Sequence, residues 1–247
     1  MISCRGLTKT FGKFTAVDNL TLDVSKGSIC AFLGANGAGK STTVKLLTGL
    51  LAASSGEAVI CGTNVAKDPL AVKRKIGVLP EGLGLFADLT VEEHLQLTGR
   101  IYGLSPQVAL SRTDELLRAL SLTGGRDRFA GYCSHGMRKK TAFAMALLPN
   151  PEVLFLDEPF EAIDPVTSKI MRDILVAIAA RGVTVFLTSH ILTMVEQIAH
   201  QFVIIRAGKI VWNSSARELP GTLEDLYFDL AEAPVTEELK WLGSVRS

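Results

Sequence analysis

Residues 34–42 constrain the fold and the chemistry of this chain more than any other stretch. They read Gly-Ala-Asn-Gly-Ala-Gly-Lys-Ser-Thr and match the pattern Gly-x-x-x-x-Gly-Lys-Ser/Thr at every fixed position. An apolar run at 29–33 predicts a buried strand before them, and residues 42–47 predict a helix after them. In that setting, backbone N–H groups and the positive end of the helix converge on one anion. The sequence therefore predicts a phosphate-binding loop.

The residues of this loop have separate expected roles. Lys40 reaches the β- and γ-phosphates of a nucleotide, and the Ser41 hydroxyl is a ligand of Mg²⁺. A Gly-rich turn without a ligand is the structural alternative, and the Gly-Lys-Ser ending argues against it. The expected nucleotide contacts in the loop are Gly34, Asn36, Gly37, Gly39, Lys40, Ser41 and Thr42.

The charge balance, the length of the apolar runs and the cysteine spacing limit the partners and the compartment that we expect for this chain. The 26 basic and 25 acidic residues nearly balance, so the chain has no general electrostatic attraction for nucleic acid or anionic lipid. No apolar run approaches the ~20 residues that span a bilayer, and no signal peptide opens the chain. The four cysteines are scattered without metal-ligand spacing, which favours free thiols in a reducing compartment. We therefore expect a soluble, cytoplasmic protein.

Strands and helices alternate along the rest of the chain. Residues 1–33 are rich in predicted strand, and further strands are predicted near 57–62, 76–80, 153–156, 183–187 and 202–212. Thr90 and Glu93 form a capping box that starts a helix through about Tyr102, and Ser105 starts a second helix. Later helices are predicted near 141–148, 168–180 and 223–231. This order predicts an α/β core that a helical insertion interrupts.

Two adjacent carboxylates, Asp157 and Glu158, follow the apolar run at 153–156. A continuous apolar run is typical of a buried parallel strand, and its carboxyl end is where such a sheet presents functional groups. Acids at a strand end are common on their own, but beside a phosphate loop they indicate phosphoryl chemistry. We expect Asp157 to hold Mg²⁺ and Glu158 to polarise the attacking water.

With these two motifs in place, the chain resembles the nucleotide-binding subunits of ATP-binding-cassette (ABC) transporters over about residues 1–220. Phe11 matches the aromatic residue that stacks on adenine, although a Phe before a sheet is more often part of a core. Glu81 stands where the family usually has Gln, and His190 follows the next strand as the switch histidine. Ser134 and Gly136 stand where the signature Leu-Ser-Gly-Gly-Gln is expected, and Asp164 lies in the loop that crosses the dimer interface.

The resemblance implies a fold, a reaction and a cofactor. The fold is a P-loop NTPase core with a mainly parallel sheet, an N-terminal antiparallel β-subdomain and an α-helical insertion at about 87–145, followed by a helical tail at 221–247. The activity is hydrolysis of ATP with Mg²⁺. The catalytic residues are Glu158, His190 and Lys40. Nucleotide contacts outside the loop come from Phe11, Glu81, Ser134, Gly136 and Asp164, and the metal ligands are Ser41, Asp157 and Glu81.

The resemblance also implies partners. Two subunits sandwich two ATP molecules, and each phosphate loop faces the signature segment of the other subunit. We expect a homodimer, with a heterodimer as the alternative. Closure of the dimer moves separate membrane-spanning permease subunits, which places the chain on the inner face of the cell membrane. Nucleic acid is not an expected partner.

Several positions depart from the family pattern. Cys133, His135 and Met137 replace signature residues, and a Tyr-x-Ser-x-Gly-Met segment is similar to those of stand-alone ATPases that serve export-type permeases. Residues 161–163 read Glu-Ala-Ile in place of the commoner Ser-Gly-Leu. Residues 138–140, Arg-Lys-Lys, are expected to form a solvated helix face, with phosphate or lipid binding as the alternative.

Two other functional classes compete with the transporter subunit. A soluble ABC ATPase acting on nucleic acid or the ribosome usually has tandem cassettes or long coiled coils, and this chain has one cassette and no heptad array. A small-molecule kinase or GTPase uses the same loop, but the sequence contains no Asn-Lys-x-Asp guanine-reading motif. The transporter ATPase is therefore the leading interpretation.

Overall fold

The computed structural model describes residues 1–231, which form two sheets with helices around the second. The first sheet is antiparallel, in the order β2-β1-β4-β5. The second has six strands in the order β10-β9-β3-β8-β7-β6, parallel except for the pair β9–β10. The strands are β1 (Ile2–Phe11), β2 (Phe14–Val24), β3 (Ile29–Leu33), β4 (Ser55–Ile60), β5 (Thr63–Asn64), β6 (Ile76–Leu79), β7 (Val153–Leu156), β8 (Thr184–Ser189), β9 (Gln201–Arg206) and β10 (Lys209–Ser215).

Helices α1 to α7 lie in connections between strands, and α8 follows the last strand, β10. Three of them, α3, α4 and α5, form the insertion between β6 and β7. The helices are α1 (Lys40–Leu47), α2 (Pro69–Lys73), α3 (Val91–Ile101), α4 (Pro106–Ala119), α5 (His135–Leu147), α6 (Pro165–Ala180), α7 (Leu192–Glu196) and α8 (Leu223–Ala231).

The six-stranded sheet is buried on both faces, as the apolar runs predicted. Along β3, the alternate residues Ile29, Ala31 and Leu33 face the cluster that contains the insertion helices. The intervening residues Cys30 and Phe32 face the cluster that contains the antiparallel sheet. On that second face, the rings of Phe32 and Phe155 lie 5.2 Å and 5.7 Å from the ring of Phe186, as measured between centroids. One apolar core therefore joins the two sheets.

Side-chain caps explain where several helices begin. Thr90 and Glu93 form the predicted capping box at the start of α3. Helix α6 begins at Pro165, earlier than the predicted start at 168, because the Asp164 carboxylate accepts hydrogen bonds from the first-turn N–H groups. The short helices α2 and α7 were not predicted at all, since five residues show too little periodicity to indicate a helix.

The C-terminal helix α8 lies within the predicted tail, and residues 232–247 fall outside the described residues. The Leu223 N–H donates to Glu196 Oε1, at the end of α7, and Arg206 Nη1 donates to the carbonyl of Leu230. The division of the chain into a cassette at 1–220 and a tail at 221–247 stays a prediction. None of the helices within residues 1–231 has both the length and the apolar character that crossing a bilayer requires.

Candidate nucleotide site

The phosphate loop runs from the end of β3 into α1, and two of its glycines are required by sterics. Gly39 has φ +111°, and a Cβ there would lie 2.5 Å from the carbonyl oxygen of Ala16. A Cβ on Gly34 would lie 2.5 Å from the carbonyl oxygen of Ile205. These approaches exclude any larger residue. Because Gly39 is also the N-cap of α1 and offers no side chain, the first N–H groups of that helix lack a side-chain cap and are available to an anion.

Backbone hydrogen bonds hold the loop against both sheets. The N–H of Asp18, on β2, donates to the carbonyl of Gly208 over 2.9 Å. The N–H of Gly208, in the β9–β10 turn, donates in turn to the carbonyl of Ala38 over 2.9 Å. The loop is therefore clamped between the antiparallel sheet and the β9–β10 turn.

Lys40 is buried and folds back onto its own loop. Its Nζ donates to the carbonyls of Gly34 at 2.8 Å and Ala35 at 3.3 Å, and it lies 3.3 Å from Glu158 Oε1. The ammonium group thus stands between the phosphate loop and a carboxylate. A nucleotide phosphate can take the place of these carbonyl contacts, since it is a stronger acceptor for an ammonium group.

Glu158 is buried and has one oxygen with two donors and one with none. Its Oε2 lies 3.0 Å from His190 Nδ1 and accepts the His190 N–H over 3.2 Å. Its Oε1 is buried, lies 3.3 Å from Lys40 Nζ and accepts no hydrogen bond from any described residue. The ion pair with Lys40 compensates its charge and leaves it able to accept a hydrogen bond. A water molecule beside the phosphates is a suitable donor.

Thr188 connects the two carboxylates, and sequence reasoning missed it. Its hydroxyl donates to Asp157 Oδ1 over 2.6 Å and accepts the N–H of Glu158 over 2.9 Å. Glu158 itself has φ +49°, an uncommon value for a residue other than glycine, and this second bond holds its backbone there. The strand register identifies this residue. Because β7 and β8 are parallel neighbours and Leu156 pairs with Leu187, the residues that follow them, Asp157 and Thr188, lie side by side.

Phe11 and Glu81 lie outside this cluster of hydrogen bonds. Phe11 ends β1 with half of its surface exposed, and Lys9 Nζ lies 5.1 Å from its ring centroid. The exposed ring suits a stacking platform better than a core position. Glu81 is exposed in the loop after β6, and within residues 1–231 it forms no hydrogen bond or ion pair. The roles of both residues stay predictions.

The signature residues form a second cluster with the interface loop. The Ser134 hydroxyl caps α5 by accepting the Met137 N–H over 3.2 Å. A Cβ on Gly136 would lie 3.6 Å from Asp164 Oδ2. Hydrogen bonds to the side chain and N–H of Thr167 hold the pKa of Asp164 below its usual value. Within the described part of the chain, neither Ser134 nor Asp164 forms a hydrogen bond or ion pair with the phosphate loop.

The expectation of a solvated face at residues 138–140 is wrong for two of the three. Arg138 is exposed, but Lys139 and Lys140 are buried on α5. Burial lowers the pKa of both lysines. Nearby carboxylates oppose that shift at Lys139: Glu161, Glu158, Asp157 and Glu81. The sequence of the helix alone could not predict this environment, because the four acids come from two loops that are distant in the chain.

The donor atoms at the site fit a magnesium ion held jointly with a nucleotide. Residues 1–231 contain no group of three or more His, Cys, Asp or Glu side chains that would hold a metal alone. Mg²⁺ prefers oxygen ligands and usually takes one or two from the protein, the rest being phosphate oxygens and waters. The Ser41 hydroxyl at the start of α1 and the Asp157 carboxylate at the end of β7 are donors of that kind.

The profile of a family described as ABC transporter matches residues 17–161, more than half of the chain. The chain belongs to the ABC transporter family. It is 38% identical over 212 residues to the bacitracin transport ATP-binding protein BcrA of Bacillus licheniformis, covering 85% of this chain and 68% of that protein. It is 36% identical over 222 residues to the daunorubicin/doxorubicin resistance ATP-binding protein DrrA of Streptomyces peucetius, covering 90% and 67%. It is 32% identical over 219 residues to the Nod factor export ATP-binding protein I of Cupriavidus metallidurans, covering 89% and 72%.

Solved structures agree with this ABC assignment. The structure of an ATP-binding subunit of an ABC transporter superposes with a TM-score of 0.87 at 30% identity, covering 93% of this chain and 99% of that one. A dimeric ATP-binding cassette in a post-hydrolysis state, bound to ADP and phosphate, superposes with a TM-score of 0.82 at 22% identity, covering 89% and 100%, and shows the fold alone. The predicted family and the predicted ABC ATPase fold are confirmed.

Proposed function

We propose that this chain is the ATP-binding and ATP-hydrolysing subunit of an export-type ABC transporter. The observation that carries the hydrolytic part is Glu158 Oε1, a buried acceptor beside Lys40 and the phosphate loop to which no residue of 1–231 donates a hydrogen bond. A loop that binds phosphate without such an acceptor would hold a nucleotide but would have no group to take a proton from water.

The proposed reaction divides the work among few groups. The loop N–H groups and Lys40 hold the β- and γ-phosphates. Glu158 Oε1 accepts a proton from a water molecule as the water oxygen bonds to the γ-phosphorus. The bond from that phosphorus to the bridging oxygen breaks, and ADP leaves with inorganic phosphate. His190 keeps Glu158 oriented through the contact with Oε2, and Lys40 offsets charge on the transferred group.

We place Mg²⁺ on Ser41 and Asp157, with Glu81 as the further ligand expected from the sequence. When bound, the ion neutralises charge on the β- and γ-phosphates. Thr188 orients the Asp157 carboxylate for this purpose, because it donates to Oδ1, whereas Oδ2 accepts no hydrogen bond from residues 1–231.

The export assignment follows from the named relatives and from the signature. Those relatives carry the names of a bacitracin transport protein, a daunorubicin/doxorubicin resistance protein and a Nod factor export protein. The segment around Ser134, Gly136 and Met137 resembles export-type subunits as well. These names favour the transporter over a soluble ABC ATPase acting on nucleic acid, and so does the near balance of charges.

We further propose that two copies of this chain form the working ATPase. The signature cluster makes no hydrogen bond to the phosphate loop of its own chain within residues 1–231, and the aromatic residue beside it, Tyr132, is 81% exposed. A second subunit that covers this surface would bring Ser134 to the γ-phosphate of the opposite site.

Mixed dimers test this arrangement. We expect a mixture of Ser134→Ala and Glu158→Gln subunits to hydrolyse ATP faster than the mean of the two variants alone. In such a dimer one site combines an intact Glu158 with the intact Ser134 of the other subunit. Phosphate release measured across mixing ratios gives the result. A rate that stays at the mean for every ratio would mean that Ser134 serves its own site.

An apolar groove offers a docking surface for the permease subunits. It has a volume of ≈ 920 Å³ and lies between the core and the helical insertion, with Leu70 at 66% and Ile101 at 73% exposure among its lining residues. Large apolar side chains exposed together in a concave surface can pack against a partner protein. Pro80 and Leu83, on either side of Glu81, also line it. We propose that a cytoplasmic segment of the permease occupies this groove and thereby contacts the loop that carries Glu81.

A charge placed in the groove is expected to separate the two subunits. Ile101→Glu should abolish co-purification with a membrane-spanning permease subunit expressed together with this chain, because the carboxylate would be desolvated in the complex. ATP hydrolysis by the free chain should stay unchanged. Leu110→Glu is the matched control, since Leu110 is exposed on α4 outside the groove. Equal co-purification of both variants would contradict the docking site.

A further inference from the structure

The 80–90 loop joins β6 to α3 and has a functional residue near its first end. Glu81 lies at that end, and Thr90 caps α3 at the other. Within the loop, Phe86 is 61% exposed and therefore has little core to hold it. A loop of this length and exposure needs a specific contact if Glu81 is to keep a defined position.

His94 provides that contact from inside α3. The side chain is fully buried, its Nε2 accepts the N–H of Phe86 over 2.9 Å, and its Nδ1 lies 2.7 Å from the carbonyl oxygen of Thr90. Because an N–H only donates and a carbonyl only accepts, the proton must be on Nδ1 and the imidazole must be neutral. The ring also stacks on Phe86, with 6.2 Å between centroids and 19° between planes.

The far half of the loop is hydrogen-bonded to the segment that leads into the signature. The carbonyls of Ala87 and Leu89 accept the N–H groups of Gly131 and Ala130 over 3.0 Å and 2.9 Å. The N–H of Val91 donates to the carbonyl of Arg128 over 3.1 Å. Ser134 lies three residues after Gly131, the last residue of this pairing.

Two ion pairs fix the same segment to the insertion helices. Arg126 contacts Glu92 on α3 at 2.5 Å and Asp114 on α4 at 2.8 Å. The hydrogen bonds from Arg126 hold the pKa of Glu92 below its usual value. Hydrogen bonds and ion pairs thus join three parts of the chain: the 80–90 loop, α3 and the segment before the signature.

We propose that His94 is a positioning residue for ATP hydrolysis, which tethers the 80–90 loop at Phe86 so that Glu81 and the signature segment move as one body. This inference rests on the proposed function, in which both ends serve hydrolysis.

Three substitutions of His94 separate its two hydrogen bonds. His94→Phe keeps the ring and removes both. His94→Gln returns an acceptor at the position of Nε2, toward Phe86, whereas His94→Asn returns only a donor at the position of Nδ1, toward Thr90. The Thr90 carbonyl already accepts the backbone N–H of His94 over 3.1 Å, so the bond to Phe86 is the tether.

We expect His94→Phe and His94→Asn to lower kcat by about tenfold or more, since small misplacements of catalytic groups have effects of that size. KM for ATP should change by less than about twofold, because the loop at 34–42 is untouched. His94→Gln should restore kcat. All rates are measured on the purified chain with MgATP, well below the unfolding temperature of each variant. Wild-type kcat in His94→Phe, or equal losses in all three variants, would overturn the proposal.

Amide hydrogen exchange tests the tether without requiring hydrolysis. In His94→Phe, exchange should speed up at Phe86 and also at Ala130 and Gly131, whose acceptors lie in the loop. Faster exchange at Phe86 alone would overturn the inference that the two segments move together. Failure of the proposed function is distinguishable, since it would show as a wild-type chain that does not hydrolyse ATP while these exchange rates still report on the tether.

Discussion

Replacing Glu158 with glutamine is expected to lower ATP hydrolysis by about 10²- to 10⁴-fold while ATP binding persists, the range found when a general base is removed. Glutamine has the same shape, but its amide cannot take a proton from water. The hydrogen bond from the Glu158 N–H to Thr188 involves only the backbone of residue 158, and a glutamine side-chain oxygen can still accept from His190. The local structure should therefore survive the substitution. Phosphate release at saturating ATP measures the loss, and calorimetry with ATP measures binding.

The matched control for this prediction is Glu152→Gln. Glu152 is an exposed carboxylate beside the other end of β7, so the same substitution there changes the net charge equally but lies away from the site. Its hydrolysis should equal that of the wild type. Unchanged turnover in Glu158→Gln would exclude Glu158 as the base. Loss of ATP binding in that variant would instead assign Glu158 the role of holding Lys40 and the loop in place.

Replacing Lys40 with alanine is expected to weaken ATP binding itself by about 10- to 100-fold, the effect of losing a hydrogen bond to a charged group. The Lys40 ammonium group contacts the Gly34 and Ala35 carbonyls and the Glu158 carboxylate. When ATP binds, we expect the ammonium group to donate to phosphate oxygens in place of these carbonyls. Titration calorimetry with a non-hydrolysable ATP analogue gives the affinity. Lys45→Ala is the control, because Lys45 is exposed in the last turn of the same helix.

A second effect of Lys40→Ala must be separated from the first. The substitution leaves the buried Glu158 carboxylate without its ion pair, which by itself destabilises a folded protein. The double variant Lys40→Ala, Glu158→Gln removes that unpaired charge. Weak binding that persists in the double variant supports direct contact of Lys40 with phosphate. Affinity restored to the wild-type value would contradict it and show that Lys40 acts by neutralising Glu158.

The sequence predicted the order of the main strands and helices because each has a strong local signal. The apolar runs at β3 and β7 are buried on both faces, and the capping box at Thr90 starts α3 as expected. Helices α2 and α7 were missed, since each has five residues and depends on tertiary contacts. The buried lysines of α5 were misjudged for the same reason: their environment comes from loops distant in the chain.

The sequence predicted which motif residues belong to the site, but it did not predict the hydrogen bonds that connect them. The phosphate loop, Asp157, Glu158 and His190 could be found from local patterns, and the structure brings Lys40, Glu158 and His190 into contact. Thr188 and His94 carry no motif of their own. Their importance comes from which N–H or carboxylate they meet, which depends on the register of neighbouring strands and on the path of a loop.

The clamp on the phosphate loop has a consequence for how this protein fits a nucleotide. Phe11 belongs to the antiparallel sheet, whereas the phosphate loop follows a strand of the parallel one. Hydrogen bonds through Gly208 link Asp18 of the antiparallel sheet to Ala38 of the loop, and the ring contacts of Phe186 fill the core between the sheets. Neither sheet can slide over the other without opening a close-packed interior. The backbone of the strand that carries Phe11 is therefore held in a fixed position relative to the phosphate loop. Adjustment to a ligand is left to side chains, among them the half-exposed ring of Phe11.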